Sequence, residues 1–324
     1  MHSIDFLQAE IERELSELNL GTEPANLYEP MEYILRLGGK RMRPLFVLLG
    51  AELFGAPYTK ALKAALGIEL FHNFTLLHDD IMDKAPVRRG KPTVHEKWNQ
   101  DIAILSGDAL FVKAGELMMQ VDDEVIKPVM QLFYKTATEV CEGQQYDMDF
   151  GRLNEISRED YLSMITLKTA VLPACCLATG AIIAQASPAD CQRIYEFGKN
   201  IGIAFQIQDD LLDAYGDNQK FGKRPCGDII EGKKTFLFSE TCQLLQGKEH
   251  LDFLSLYNNQ EMHAHEKTIQ VLAIFDRLGI SSLTYQAIQH YFHQGIEHLS
   301  HIKTAPQQVM ELRMFCEKLL LREN

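Results

Sequence analysis

Apolar residues recur along this chain at intervals of three and four. Ile4, Leu7, Ile11, Leu15 and Leu18 form one such stripe, and Ile194, Phe197, Ile201 and Phe205 form another. Each stripe lies on one face of a helix. Strand-like alternation is almost absent, so the pattern predicts helices nearly throughout. Breaks fall at Gly38-Gly39, Gly55-Ala56-Pro57, Ala85-Pro86 and Ser187-Pro188, and over 217–234, with residues that end helices or set turns. No Pro/Gly/Ser-rich linker divides the chain. The expectation is an all-α fold in one domain, 1–324, with a mobile loop around 217–234. No apolar run approaches the ~20 residues needed to cross a bilayer, so no membrane span is expected.

Two of these helices carry carboxylates. In ELFHNFTLLHDDIMD, Asp79 and Asp83 are one turn apart, on the stripe of His72 and Leu76. In AFQIQDDLLD, Gln206, Asp209, Asp210 and Asp213 fall at i, i+3, i+4 and i+7 and share a broad face. One such cluster alone would pass for a solvated acidic face. Carboxylates set in apolar helices repel one another and are costly to bury unless a cation joins them. The two clusters, 130 residues apart, suggest two carboxylate rims facing each other across a cleft. Oxygen-only donors suit a hard cation such as Mg²⁺, which keeps waters and bridges to phosphates. Zinc is excluded because no His or Cys set accompanies the aspartates.

Charge sharpens the picture. The 324 residues carry a net charge of −13, which excludes a general nucleic-acid surface. Basic residues nevertheless cluster: Lys40, Arg41 and Arg43 in GGKRMRP, Arg88 and Arg89 in VRRGKPT, and Lys223, Lys233 and Lys234 in FGKRPCGDIIEGKKT. A glycine turn with cations at a helix start suits an anion. A basic loop follows each aspartate helix, and cations beside a magnesium site are what a diphosphate requires. Seven cysteines without CxxC spacing point to reduced thiols and a cytoplasmic protein.

In order, GGKRMRP, DDIMD with RRG, GQQYDMDF, LKTA, FQIQDDLLD and GKKT resemble the trans-isoprenyl diphosphate synthases, the farnesyl and geranylgeranyl diphosphate synthase family. The resemblance implies a single-domain isoprenoid synthase helical bundle with a central active-site cavity, acting as a homodimer. It implies Mg²⁺, three ions with substrate bound, held by Asp79, Asp80, Asp83, Asp209, Asp210 and Asp213. Arg88, Lys168, Lys223 and Lys233 would contact the allylic diphosphate (dimethylallyl, geranyl or farnesyl). Lys40, Arg43, His72 and Arg89 would hold isopentenyl diphosphate. Thr169 and Gln206 would face the reacting carbon, and Gln144 and Asp147 would support the site from behind. Thr169 in mid-helix could equally bond back to its own helix. Cys226 stands where the family often has Gly.

Product length should depend on what lies beneath the first cluster. Thr75 is small and would let a growing chain pass, while Phe74 and Phe71 could form its floor. That pattern resembles geranylgeranyl diphosphate synthases, with a farnesyl product as the alternative. A class I terpene cyclase shares the aspartate logic but needs no second diphosphate site, against which Lys40, Arg43 and Arg89 argue. A non-catalytic regulatory subunit would typically lose an aspartate cluster, and both are kept here.

Overall fold

Several helix starts fall where a side chain supplies an oxygen for an orphan amide, at Ser3, Asn99, Ser157 and Thr235. A computed structural model describes residues 1–216 and 226–320. Ser3 accepts from Phe6 N at the start of α1 (Ile4–Glu17), as N-cap Ser, Thr and Asn do. Then follow α2 (Ala25–Arg36), α3 (Met42–Leu53) and α4 (Tyr58–Met82). A short hairpin, β1 (Val87–Arg88) and β2 (Lys91–Pro92), pairs Arg88 with Lys91. After α5 (Val94–Lys97), Asn99 caps α6 (Gln100–Met118), and α7 (Asp123–Phe150) follows. A capping box of Ser157 and Asp160 opens α8 (Arg158–Ile165). A π-helical turn, Thr166–Ala170, leads into α9 (Val171–Ile183), and α10 (Pro188–Tyr215) comes next. The remaining elements are α11 (Gly227–Glu231), α12 (Phe236–Leu244), α13 (Gly247–Tyr257), α14 (Ala264–Leu278), α15 (Ile280–Ser300) and α16 (Pro306–Leu320). Among the described residues the only strands are those of the hairpin, so the fold is all-α.

The chain divides into two compact units. The first comprises Met1–Tyr134, Cys175–Ile194 and Lys303–Gln308. At its centre α4 is buried almost all round from Ala61 to Phe71, packed against α3 and α6. A helix apolar on every side belongs in a core. The second unit comprises Lys135–Ala174, Tyr195–Ile302 and Val309–Asn324. One of its cores gathers Phe238, Phe253, Tyr257, Val271 and Phe275; another gathers Tyr161, Met164, Ile203, Ile207 and Phe236.

The helical run Arg158–Ile183 is long and apolar enough to cross a membrane by length and composition alone. The sequence reading missed it because Lys168 interrupts the apolar letters. Packing accounts for its apolarity, since 72% of its most apolar window is buried inside the protein.

Candidate active site

Each aspartate cluster ends its helix. Asp83 caps the C-terminus of α4, one turn after Asp79, and Asp213 lies in the last turn of α10. Neither last turn contains a basic residue. Carboxylates at the negative end of a helix are disfavoured, by about 0.3–1 kcal/mol each, unless a cation balances them. The donor set is therefore the kind Mg²⁺ favours, in a place where a cation is welcome. Among the described residues no three His, Cys, Asp or Glu side chains converge on a ready-made metal position. A metal that keeps its waters and binds together with a phosphate does not need one.

Within each cluster the aspartates differ. Asp79 is half-buried, and Asp83 and Asp209 are exposed. The middle residues turn inward. Asp80, 2% exposed, accepts from Arg88 Nε at 2.8 Å and from Nη2 at 2.8 Å. Asp210 accepts from the Tyr161 hydroxyl at 2.6 Å, Phe236 N at 2.9 Å and Gln206 Nε2 at 3.1 Å. Burial, then the charge of Asp228, pushes Asp210 up to about 7, while its three donors oppose the shift. A cation beside it would act with the donors. Asp213 accepts from Asp228 N at 2.9 Å and so caps α11.

In the first unit the hairpin presents two arginines. Arg89 and Gly90 both have positive φ, 52° and 73°, as a tight hairpin turn requires. Tyr33 donates to Pro92 O at 2.8 Å and Thr93 to Ala85 O at 2.8 Å, which ties the hairpin down. His72 is held well below the usual imidazole range by burial, then by the positive charges of Arg43, Arg89, Arg88 and Arg41. Arg43, His72 and Arg89 are thus brought together. Lys40 stays exposed on the turn before them.

The shift at His72 makes a prediction. Below pH 6.5 the unfolded chain takes up a proton that the folded imidazole refuses. Stability from this group is fully present above that pH and falls as pH drops below it, by up to about 1.4 kcal/mol per pH unit. His72→Gln should flatten the acid limb of the Tm–pH curve. An unchanged limb would show that the imidazole is not held neutral.

In the second unit the LKTA segment is the π turn, a wide helical turn often found at functional sites. Lys168 reaches Asp147 at 2.5 Å. Thr169 donates to Gln206 Oε1 at 3.1 Å rather than back to its own helix, which continues the chain to Asp210. A Cβ at Gly143 would lie 2.1 Å from Lys168 N, so that glycine lets α7 approach the turn. Gln144 is buried. Lys233 lies 3.3 Å from Glu231 and 3.7 Å from Asp228. Lys223 and the loop portion 217–225 lie outside the described residues. At Cys226, φ is 54°, a left-handed value that favours glycine.

Beneath the first cluster, Phe71 and Phe74 belong to a larger aromatic group. Phe74 stacks on Phe111 of α6 with centroids 5.2 Å apart, and Phe71 meets Phe133 of α7 edge-on at 5.4 Å. Thr75 donates to His72 O at 2.8 Å. Phe111, Phe133 and Tyr161 were missed because their roles depend on contacts distant in sequence. Glu69 was also missed, although a carboxylate inside AALGIELF is a visible signal.

A family model described as polyprenyl synthetase matches residues 24–275. A geranylgeranyl diphosphate synthase of Methanosarcina mazei is 35% identical over 306 residues, 94% of this chain and 92% of its own length. A geranylfarnesyl diphosphate synthase of Natronomonas pharaonis is 39% identical over 233 residues, 66% of this chain and 68% of its own length. A crystal structure of a geranylgeranyl pyrophosphate synthase matches with a TM-score of 0.94 and 41% identity, covering all of both chains.

Proposed function

The chain belongs to the polyprenyl synthetase family and is a trans-prenyltransferase, and from that premise we propose that it condenses isopentenyl diphosphate with allylic diphosphates to give geranylgeranyl diphosphate. The carrying observation is the grouping of Arg43 and Arg89 about His72, where their positive charges add to burial in pushing the imidazole below its usual range. A second diphosphate needs such a site, and a terpene cyclase does not. We treat 1–324 as one polyprenyl synthetase domain, since the family match includes residues of both compact units.

Asp79, Asp83 and Asp209, with Asp80, Asp210 and Asp213 behind or beside them, would hold Mg²⁺, three ions with substrate. The ions supply charge neutralisation to the departing diphosphate. Arg88, Lys168, Lys233 and Lys223 would grip the same diphosphate; Asp80 and Asp147 already orient the first two. Lys40, Arg43, His72 and Arg89 would hold isopentenyl diphosphate. The allylic C–O bond ionises, the isopentenyl double bond attacks the allylic carbon, and the departed diphosphate takes the proton. Thr169 and Gln206 would line the reacting carbon. Catalysis is then positioning and electrostatic preorganisation, with no strong side-chain base. Mass spectrometry of products from labelled isopentenyl diphosphate with each allylic starter tests the reading. Twenty-carbon diphosphate is expected, and hydrocarbon from allylic substrate alone would overturn it.

A homodimer fits an exposed apolar stripe along α6 and its C-cap. Leu105 and Val112 of the helix and the C-cap Met119, spaced by seven, are 60%, 61% and 50% exposed. Such a stripe is the seam by which helices pair. Val112→Glu should shift the mass measured by light scattering from dimer toward monomer; a monomeric parent would defeat the proposal. The free cysteines support a cytoplasmic location.

A further inference from the structure

The turn that carries Lys40 lies against helix α1. Gly38, Gly39 and Arg41 have φ of 79°, 145° and 47°. The last is a left-handed value at a residue with a Cβ, which an isolated chain avoids. It persists where surrounding contacts over-determine it. The Arg41 guanidinium, on a residue only 6% exposed, donates to Glu69 at 2.6 Å, to Leu35 O at 2.7 Å and to Glu12 of α1 at 2.8 Å. Glu69, 3% exposed, is itself held by Asn73 at 3.1 Å. One turn before Glu12, Gln8 donates to the Lys40 carbonyl at 3.0 Å. Gln8 and Glu12 share a face of α1 at i, i+4, so they grip two consecutive residues of the turn. From the hairpin, Arg89 lies over Gly39, where a Cβ would stand 2.8 Å from Nη2.

We propose that Gln8 and Glu12 are positioning residues for the isopentenyl diphosphate site. Glu12 acts through Arg41 and Gln8 through the Lys40 carbonyl, and together they fix the turn between Lys40 and Arg43. The inference rests on the assignment of that site above. It extends the site to a helix that precedes the family-matched segment, 24–275. Neither residue touches substrate. Loosening their grip lowers the fraction of molecules with the turn ready, and apparent affinity falls with that fraction. Only one of the two diphosphates should feel it.

The test is steady-state kinetics of the full chain with each substrate varied in turn. Gln8→Ala with Glu12→Ala should raise KM for isopentenyl diphosphate about tenfold, the scale of a lost charge-assisted hydrogen bond. KM for the allylic diphosphate should stay within about twofold, with Glu12→Gln, which keeps an acceptor, intermediate. Equal rises in both KM values, or a lower Tm with neither changed, would overturn the proposal, because a merely structural helix gives those results. Arg43→Ala separates the two layers. If it raises KM for isopentenyl diphosphate while the double variant does not, the grip is refuted and the site stands. If Arg43→Ala has no effect, the site assignment itself fails.

Discussion

Asp79→Ala is expected to lower turnover about a thousandfold and to leave the fold intact. A metal clamp on a departing phosphate supplies several kcal/mol, and each 1.36 kcal/mol is a factor of ten in rate. Asp79 sits half-buried in the last turn of α4, beside two other carboxylates and with no basic residue in that turn. Removing one charge there relieves repulsion from its neighbours and from the helix end. Tm should therefore hold or rise slightly, and more Mg²⁺ should be needed for half-maximal activity.

Asp80→Ala should behave differently, because Asp80 is buried and doubly bonded to Arg88. Losing one member of a buried pair costs about 3 kcal/mol, the low end of the range because Arg88 is partly exposed. Stability and turnover should then fall together. Parallel melting curves and rates separate the two roles, and near-normal turnover in Asp79→Ala would remove the clamp assignment.

That difference marks what the sequence could convey. Helical periodicity revealed the helices, and the i, i+4 spacing put Asp79 with Asp83 and Asp209 with Asp213. The same projection placed Gln206 on the face of Asp210, to which it donates. Spacing alone could not separate the inward aspartates from the outward ones, since Arg88, Tyr161 and Phe236 N reach them by tertiary contact. The π turn under Lys168 and Thr169 was illegible for a similar reason. One extra residue in a turn leaves the apolar letters unchanged, and the space for it comes from Gly143 on another helix. Arg41 read as one more cation of the GGKRMRP turn, and only its burial against Glu69 separates it from Lys40 and Arg43.

Product length is where tertiary contact matters most. Relatives of similar identity are named for twenty- and twenty-five-carbon products, so the proposed aromatic floor is what a test of product length must address. Phe71 and Phe133 are each 1% exposed, whereas Phe74 and its stacking partner Phe111 are only partly buried. The accessible layer is therefore Phe74 with Phe111, and Phe71 with Phe133 is the support beneath. Phe71→Ala would open a core cavity at a cost of about 3–5 kcal/mol, which confounds any change in product with loss of fold. Phe74→Ala and Phe111→Ala should cost less and act on the same boundary from two helices. Each is expected to shift the product toward chains longer than twenty carbons, and the double variant further than either alone, because one ring left in place still narrows the path. The effect should be non-additive, as expected for residues in contact. Mass spectrometry of the diphosphates after dephosphorylation reads the distribution directly. If both single variants and the double gave an unaltered twenty-carbon product, the stop would lie outside this aromatic group.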